Sequence, residues 1–400
     1  MRLRPDLAVL PLDDEAVAFS EAAQCLLGLN ASAARVIREL QKGTGVDDVA
    51  RVLAAEGGVA PEEAGHWVTA TLDAFESHGM IGDGPVPPPP SVAGSDEAAE
   101  GAARIADMPP YAPFEPAMER RYRLLETCAL IRFGARAQVR LVNSVIGHLA
   151  TEDAAAPTVV IDLRAEMLED GNLRSDIYRD GVPVQCAPQL SLLGPAVKGA
   201  LWQTAVNAHD FLFYIHAGVV GAGAGCVLLP AAAGSGKSSL TGALAHAGFR
   251  YFSDEVALIE RRTFRVPPMP LAMGIKQSGW DLMARYYPAI AEMPTHRRND
   301  GKVLRYVPPP DGAAEKVAAP VSHIIFPRHQ EDAPTELRPV MRAEALGRLM
   351  GECLALRQRL DRQNVGELVR WIAGIECYAL NFSSLDAAVE LVAQATAHTR

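Results

Sequence analysis

The stretch that most limits what this chain can fold into runs from 226 to 259, where CVLLP leads into AAAGSGKSSL, a helix-like segment and GFRYFSDEVALIE. Residues 227–229 predict a short buried strand, and 240–246 continue with the apolar spacing of a helix that stops at Gly248. A strand, a glycine turn and a helix in that order point backbone N–H groups at an anion and set a helix N-terminus behind them. Gly234 and Gly236, with Ser235 between them, allow the close backbone approach. Lys237 supplies a long cation, Ser238 a hydroxyl for Mg²⁺, and Ser239 a neighbouring polar group. The phosphate-loop pattern GxxxxGK, followed by Ser or Thr, ordinarily opens on glycine, and Ala231 stands there instead, a small residue that keeps the turn compact. The expected ligand is ATP with Mg²⁺; GTP and pyrophosphate fit the same residues.

The flanks add chemistry. Residues 249–252 predict a strand that delivers Ser253, Asp254 and Glu255 at its end, where a carboxylate can hold Mg²⁺ directly or through water. Upstream, FLFYIHAGVV reads as a strand with His216 just before a small-residue turn, a place that suits a packed core histidine as well as a catalytic one. Further on, a strand ends near Lys276, and THRRNDGKVLR is the densest cationic run in the chain. Phosphoryl transfer gains from cations facing the equatorial oxygens, so Lys276 and one of Arg297 or Arg298 are candidates. A solvated basic loop accounts for the run equally well.

His216-Ala217-Gly218, the Gly-Ser-Gly-Lys-Ser loop and Phe252-Ser253-Asp254-Glu255, in that order and spacing, resemble the core of HPr kinase/phosphorylase and its relatives. The resemblance implies an α/β, P-loop kinase domain related to phosphoenolpyruvate carboxykinase, built on a mixed sheet. It also implies that His216 tunes or neutralises the acids, that Asp254 is general base or metal ligand, and that Glu255 stands where the family more often has a second Asp. The C-terminal signature by which HPr kinases engage their carrier protein has no match here, so HPr is not the expected substrate.

With 400 residues, 49% hydrophobic and 22% charged, the chain has room for two or three globular domains. A net charge of -10 argues against an extended nucleic-acid footprint. Six scattered cysteines, with no CxxC, read as reduced thiols rather than a zinc site. The N-terminus lacks the pattern of a signal peptide and no segment reaches the roughly 20 apolar residues of a membrane span, so the expected location is the cytoplasm and no membrane partner is expected.

Residues 7–29 break into three short apolar runs that predict small strands, and apolar periodicities over 33–40, 46–53 and 61–75 predict three helices, the last opened by Pro61 with Glu62 and Glu63 behind it. This order, with LGLNASAARVIREL at its centre, resembles the PqqD-like peptide-recognition domain of ribosomal peptide modification systems. The resemblance implies a small winged-helix-like α+β domain over 1–81 to which a leader peptide adds as a strand. A packing module without ligand is the plainer alternative. Residues 82–117, with Pro87 to Pro90 and a Gly/Ala-rich run, read as a linker. The kinase domain then spans 118–400. Within it, 122–133 predicts one strand, Asp180-Gly181 a hairpin turn, 211–220 one strand, and 343–356 one helix.

These readings converge on an enzyme of ribosomal peptide (RiPP) biosynthesis: an ATP- and Mg²⁺-dependent kinase acting on a Ser or Thr hydroxyl of a peptide held by the N-terminal domain. A small-molecule kinase of the same superfamily and a non-catalytic nucleotide-binding adaptor are the alternatives. A homo-oligomer is compatible with the sequence.

Overall fold

The computed structural model describes residues 3–82, 105–232, 234–356 and 359–397. It begins with three antiparallel strands, β1 (Leu7–Leu12), β2 (Glu15–Ser20) and β3 (Cys25–Leu29), followed by α1 (Ala31–Gln41), α2 (Val46–Gly57) and α3 (Pro61–Ser77). Asn30 caps α1 by accepting the Ala33 N–H, and Pro61 opens α3 with acids in its first turn.

Alternation along β2 decides how this sheet is buried. Ala16 and Ala18 face α1 and α3, closing a small core with Leu29, Ile37, Phe75 and Met80. Val17 and Phe19, one residue out of phase, point to the opposite face. There they join Leu12 in a core shared with Phe213 from the middle of the chain and Leu346, Leu349, Val365 and Leu368 from its far end. Gly28 permits that approach, because a Cβ on it would lie 2.1 Å from the Ala343 carbonyl oxygen. Glu15 accepts the Ala343 N–H at 2.7 Å, and Arg342 reaches Asp13 at 2.8 Å. The N-terminal unit is therefore docked on the C-terminal part rather than merely tied to it.

Part of the predicted linker, 83–104 with its proline run, lies outside the described residues. The remainder departs from a tether. Ile105, Met108 and Tyr111 pack on Tyr178 and Cys186, the Tyr178 hydroxyl donates to the Pro109 carbonyl at 2.8 Å, and Arg132 reaches the Tyr111 hydroxyl at 3.1 Å. Three apolar side chains in a proline-rich stretch cover a sheet face, which a composition-based reading averages away.

That sheet runs β4 (Met118–Leu124), β5 (Thr127–Phe133), β6 (Val159–Met167), β7 (Leu173–Arg179) and β8 (Val182–Ala187), with α4 (Arg136–Ile146) and α5 (Leu190–Ala208) packed on it. The single strand predicted over 122–133 is instead a hairpin, turning at Leu125 with φ 52°. A leucine in left-handed backbone gives no turn signal of the kind glycine or asparagine would. Asp180 and Gly181, both at positive φ, form the tight turn between β7 and β8.

The second half comprises β9 (Phe211–Ile215), β10 (Ala217–Ala222), β11 (Gly225–Pro230), α6 (Lys237–His246), β12 (Arg250–Ser253), β13 (Ala257–Glu260), β14 (Arg265–Val266), β15 (Met273–Lys276), α7 (Trp280–Ala284), β16 (His296–Arg297) and β17 (Val303–Val307). It continues with β18 (Ala319–His329), β19 (Glu336–Pro339), α8 (Arg342–Gly351), β20 (Cys353–Leu356), α9 (Arg362–Ile372), β21 (Glu376–Phe382) and α10 (Leu385–Thr396). The central sheet is mixed, in the order β12-β10-β11-β18-β21-β19, with β11, β18 and β21 parallel and β14 paired to β18. Smaller antiparallel sheets, β13-β9-β20 and β15-β17-β16, flank it. Side chains of α6 and α10 cover one face of the central sheet. The other face closes on the core that contains Val17 and Phe19.

Two predicted elements are divided. The strand over 211–220 breaks at His216, whose N–H goes to the Glu352 carbonyl at 3.0 Å, so β9 and β10 belong to different sheets. The helix predicted over 343–356 ends at Gly351, because 353–356 pairs with β9 as β20. No described helix is long and apolar enough to cross a membrane.

Replacing Gly28 by alanine forces a methyl group onto backbone and so loosens the docked face. Gly28→Ala is expected to lower stability by about 1–3 kcal/mol, the usual range for overpacking, read as a lower urea midpoint. An unchanged midpoint would contradict the close contact of β3 with α8.

Candidate active site

The loop between β11 and α6 is shaped by two glycines. Gly234 and Gly236 have φ of 96° and 83°, the left-handed region that favours glycine. A Cβ on Gly236 would also lie 2.9 Å from the Phe382 ring. Gly236 caps α6 without any side-chain hydrogen bond, which leaves the first-turn N–H groups open to an anion. On the strand beneath, Gly218 brings α6 close, since a Cβ there would meet Thr241 Oγ1 at 2.2 Å.

Lys237 is 5% exposed, and its amine has no hydrogen-bond partner. Ser235 Oγ is likewise buried and unpartnered. Buried donors left unpaired are costly, so such a pair at a helix N-terminus marks a place that an anionic ligand completes. Burial pulls the Lys237 amine down to about 8, against the upward pull of Asp254 and Glu255.

In front of the loop lies a cavity of about 340 Å³. Gly234, Gly236, Lys237, Ser238 and Ser239 border it, together with His216 from the β9–β10 break, Asp254 and Glu255 beyond β12, Lys276 at the end of β15, and Arg298 from the β16–β17 turn. Of the residues singled out from sequence, Ser235 and Arg297 do not line this cavity. Arg297 borders an adjoining one.

The two acids are placed by a turn that Ser253 stabilises, its Oγ accepting from the N–H groups of Glu255 and Val256 at 3.3 and 3.2 Å. Asp254 is buried, with its oxygens 3.3 Å from the Tyr251 hydroxyl and from the Gly274 N–H. That hydroxyl also lies 2.7 Å from the Leu271 carbonyl, and its one proton cannot serve both. Glu255 is partly exposed and meets the Lys198 amine at 2.7 Å. Lys198 itself is buried on α5, 5.2 Å above the Tyr306 ring.

This lysine separates the two carboxyls. Its charge is the main reason that Glu255 is held down at about 2. Burial raises Asp254 above the ordinary aspartate value although Lys198 and Lys237 oppose it. One acid is thus fixed as an anion while its neighbour is able to take up a proton, the arrangement that divides acid and base roles. Burial, then the Lys237 charge, lowers His216 to about 4, so its ring is neutral near pH 7. The positive charge opposite the acids comes from Lys198.

Among the described residues no three His, Cys, Asp or Glu side chains gather to hold a metal. Ser238 and Asp254 offer hard oxygen ligands only, which fits an ion such as Mg²⁺ that fills the rest of its shell with water and phosphate oxygens. The cationic run divides as well. Arg298 and Lys302 both pair with Asp300, at 3.3 and 2.5 Å, while Arg305 lies over the Trp280 ring at 4.0 Å and is structural. Sequence reasoning missed Lys198, although a signal existed: it is the one charged residue in the apolar helix α5. Tyr306 and Tyr251 carried no such signal.

Residues 15–81 match the family model for coenzyme PQQ synthesis protein D (PqqD), and the N-terminal domain is PqqD-like. Among solved structures, the chain is similar to TbiB1 in complex with the TbiA(beta) leader peptide, at 19% identity over 21% of this chain and 98% of that one, with a TM-score of 0.20. It is also similar to the Hpr(Ser) kinase/phosphatase from Coxiella burnetii, at 14% identity over 46% of this chain and 95% of that one, with a TM-score of 0.23. No curated protein matches the chain.

A lysine at about 8 loses its proton well before an ordinary one. Competitive amine labelling of the nucleotide-free protein should show one amine titrating near pH 8 that disappears in Lys237→Met. Titration of Lys237 together with the bulk lysines above pH 10 would contradict its desolvation.

Proposed function

We propose that the chain is a cytoplasmic, ATP- and Mg²⁺-dependent kinase of ribosomal peptide biosynthesis, phosphorylating a Ser or Thr hydroxyl on a precursor peptide presented by the N-terminal domain. The observation that carries this reading is the buried, unpartnered Lys237 amine facing the same cavity as two neighbouring carboxyls whose proton affinities are driven apart. Loop N–H groups from Gly234 to Ser239 and the Lys237 amine bind the phosphates. Ser238, with Asp254 acting through a metal-bound water, would hold Mg²⁺, and the ion would supply neutralisation of the phosphate charge. Asp254 takes the proton of the acceptor hydroxyl, because Glu255, at about 2 beside Lys198, is too weak a base. Lys276 and Arg298 face the oxygens on which charge develops.

Peptide presentation rests on β3. Among the described residues its outer edge has no strand partner, and it is the edge to which an extended peptide would add. The same strand contacts α8 at Ala343, and α8 runs into Glu352, whose carbonyl holds the His216 N–H. Presentation and chemistry are thus built on one continuous piece of structure.

The test is transfer of labelled phosphate from ATP to peptide. Asp254→Asn is expected to cut transfer by about 10²–10⁴, the usual worth of a general base, with ATP still bound. Lys198→Met removes the charge that favours ionised Asp254, so the acid limb of kcat/KM should move to higher pH. Nucleotide binding without transfer or phosphate release would point to an adaptor. Transfer only to a small hydroxylated molecule would point to a small-molecule kinase.

A further inference from the structure

Helix α8 has no cap from its own segment. Met341 precedes it and makes no side-chain hydrogen bond to its first turn, so the opening N–H groups need an acceptor from elsewhere. That acceptor is Glu15 on β2, 328 residues earlier: its Oε2 accepts the Ala343 N–H at 2.7 Å, with the Arg342 N–H beside it. A carboxylate in this place also meets the positive pole of the helix. The neighbouring Asp13–Arg342 pair lies at the surface, where an ion pair contributes little. The N-terminal sheet thus supplies the cap that α8 lacks.

The other end of α8 reaches the phosphate cavity. Glu352 ends the helix, and its carbonyl accepts the His216 N–H at 3.0 Å. The His216 carbonyl in turn accepts, at 3.4 Å, the N–H of Ala231, the residue on which the glycine loop opens. The Glu352 side chain acts on the far end of the same loop: burial raises its carboxyl, and the Lys237 charge pulls it back down. Between the two ends of the helix, Ala343, Ala345, Leu346 and Leu349 are fully buried, and a close-packed interior transmits displacement.

We propose that Glu15 is a positioning residue for the phosphate loop. By capping α8 it holds Glu352, and through Glu352 the backbone of His216 and the start of the loop, so the grip on nucleotide depends on the N-terminal domain and not on the glycine loop alone. This rests on the nucleotide-binding part of the kinase reading above.

Binding of Mg²⁺ with the imido analogue of ATP to the full-length protein is measured by calorimetry, and stability by urea unfolding. Glu15→Ala is expected to weaken binding about fivefold, the usual worth of a helix cap, and Glu15→Gln, which keeps an acceptor oxygen, should recover most of the affinity. Val49→Ala, in a core of the N-terminal helices that does not include α8, should lower the urea midpoint and leave the affinity unchanged. In the wild type, saturating nucleotide should slow amide hydrogen exchange over 343–352 as well as in the glycine loop, because linkage between two sites is reciprocal. Wild-type affinity in Glu15→Ala, an equal loss of affinity in Val49→Ala, or exchange slowed in the loop alone overturns the role of Glu15 and leaves nucleotide binding standing. No binding by the wild type overturns the nucleotide site, and this inference with it.

Discussion

A lysine amine on α5 lies 2.7 Å from Glu255, and this contact ties the helix on the five-stranded sheet to the turn that follows β12. α5 packs on the sheet that precedes the glycine loop, whereas Glu255 follows that loop, and both residues of the pair line the cavity that Lys237 borders. A buried pair of this kind adds little net stability, because desolvating two charges offsets most of their attraction. What it contributes is electrostatic order. It fixes one carboxyl as an anion, and the buried neighbour keeps its proton more readily than an aspartate in water.

The N-terminal sheet is built into the rest of the molecule through both of its faces. A strand whose successive residues alternate between two apolar faces needs cover on both. Here α1 and α3 cover one face, and the helices that follow β19 cover the other. Glu15, Asp13 and Gly28 bind the beginning of α8 by an ion pair, a hydrogen bond and close packing. At its other end that helix delivers Glu352 to the backbone of His216. A peptide added to β3 would therefore sit against an element that ends beside His216, which borders the cavity.

Much of this was legible in the sequence where local chemistry dictates backbone. The glycines of the phosphate loop, Pro61 at the start of α3 and Asp180-Gly181 between β7 and β8 each have one physical reading, and the structure has that geometry at each. The apolar periodicity of α1 to α3 was equally plain. Readings failed where a distant partner decides. His216 breaks a continuous apolar run because Glu352 claims its N–H from 136 residues away, and β20 leaves helical backbone because β9 offers it a ladder. The left-handed turn at Leu125 has no compositional mark at all. In the site, the consecutive acids were visible, but the difference in their proton affinities depends on Lys198, which is remote in sequence and becomes adjacent only through packing of α5.

On the proposed function, phosphates are gripped where Gly236 and Lys237 begin α6, at the cavity that Asp254 also borders. A crystal structure with Mg²⁺ and a non-hydrolysable ATP analogue tests it most directly. The expected result is terminal phosphates hydrogen-bonded to the Lys237 amine and the loop N–H groups, with the metal between Ser238 Oγ and the Asp254 carboxylate. Phosphates bound elsewhere, or a Lys237 amine still without a partner beside a bound nucleotide, would contradict it.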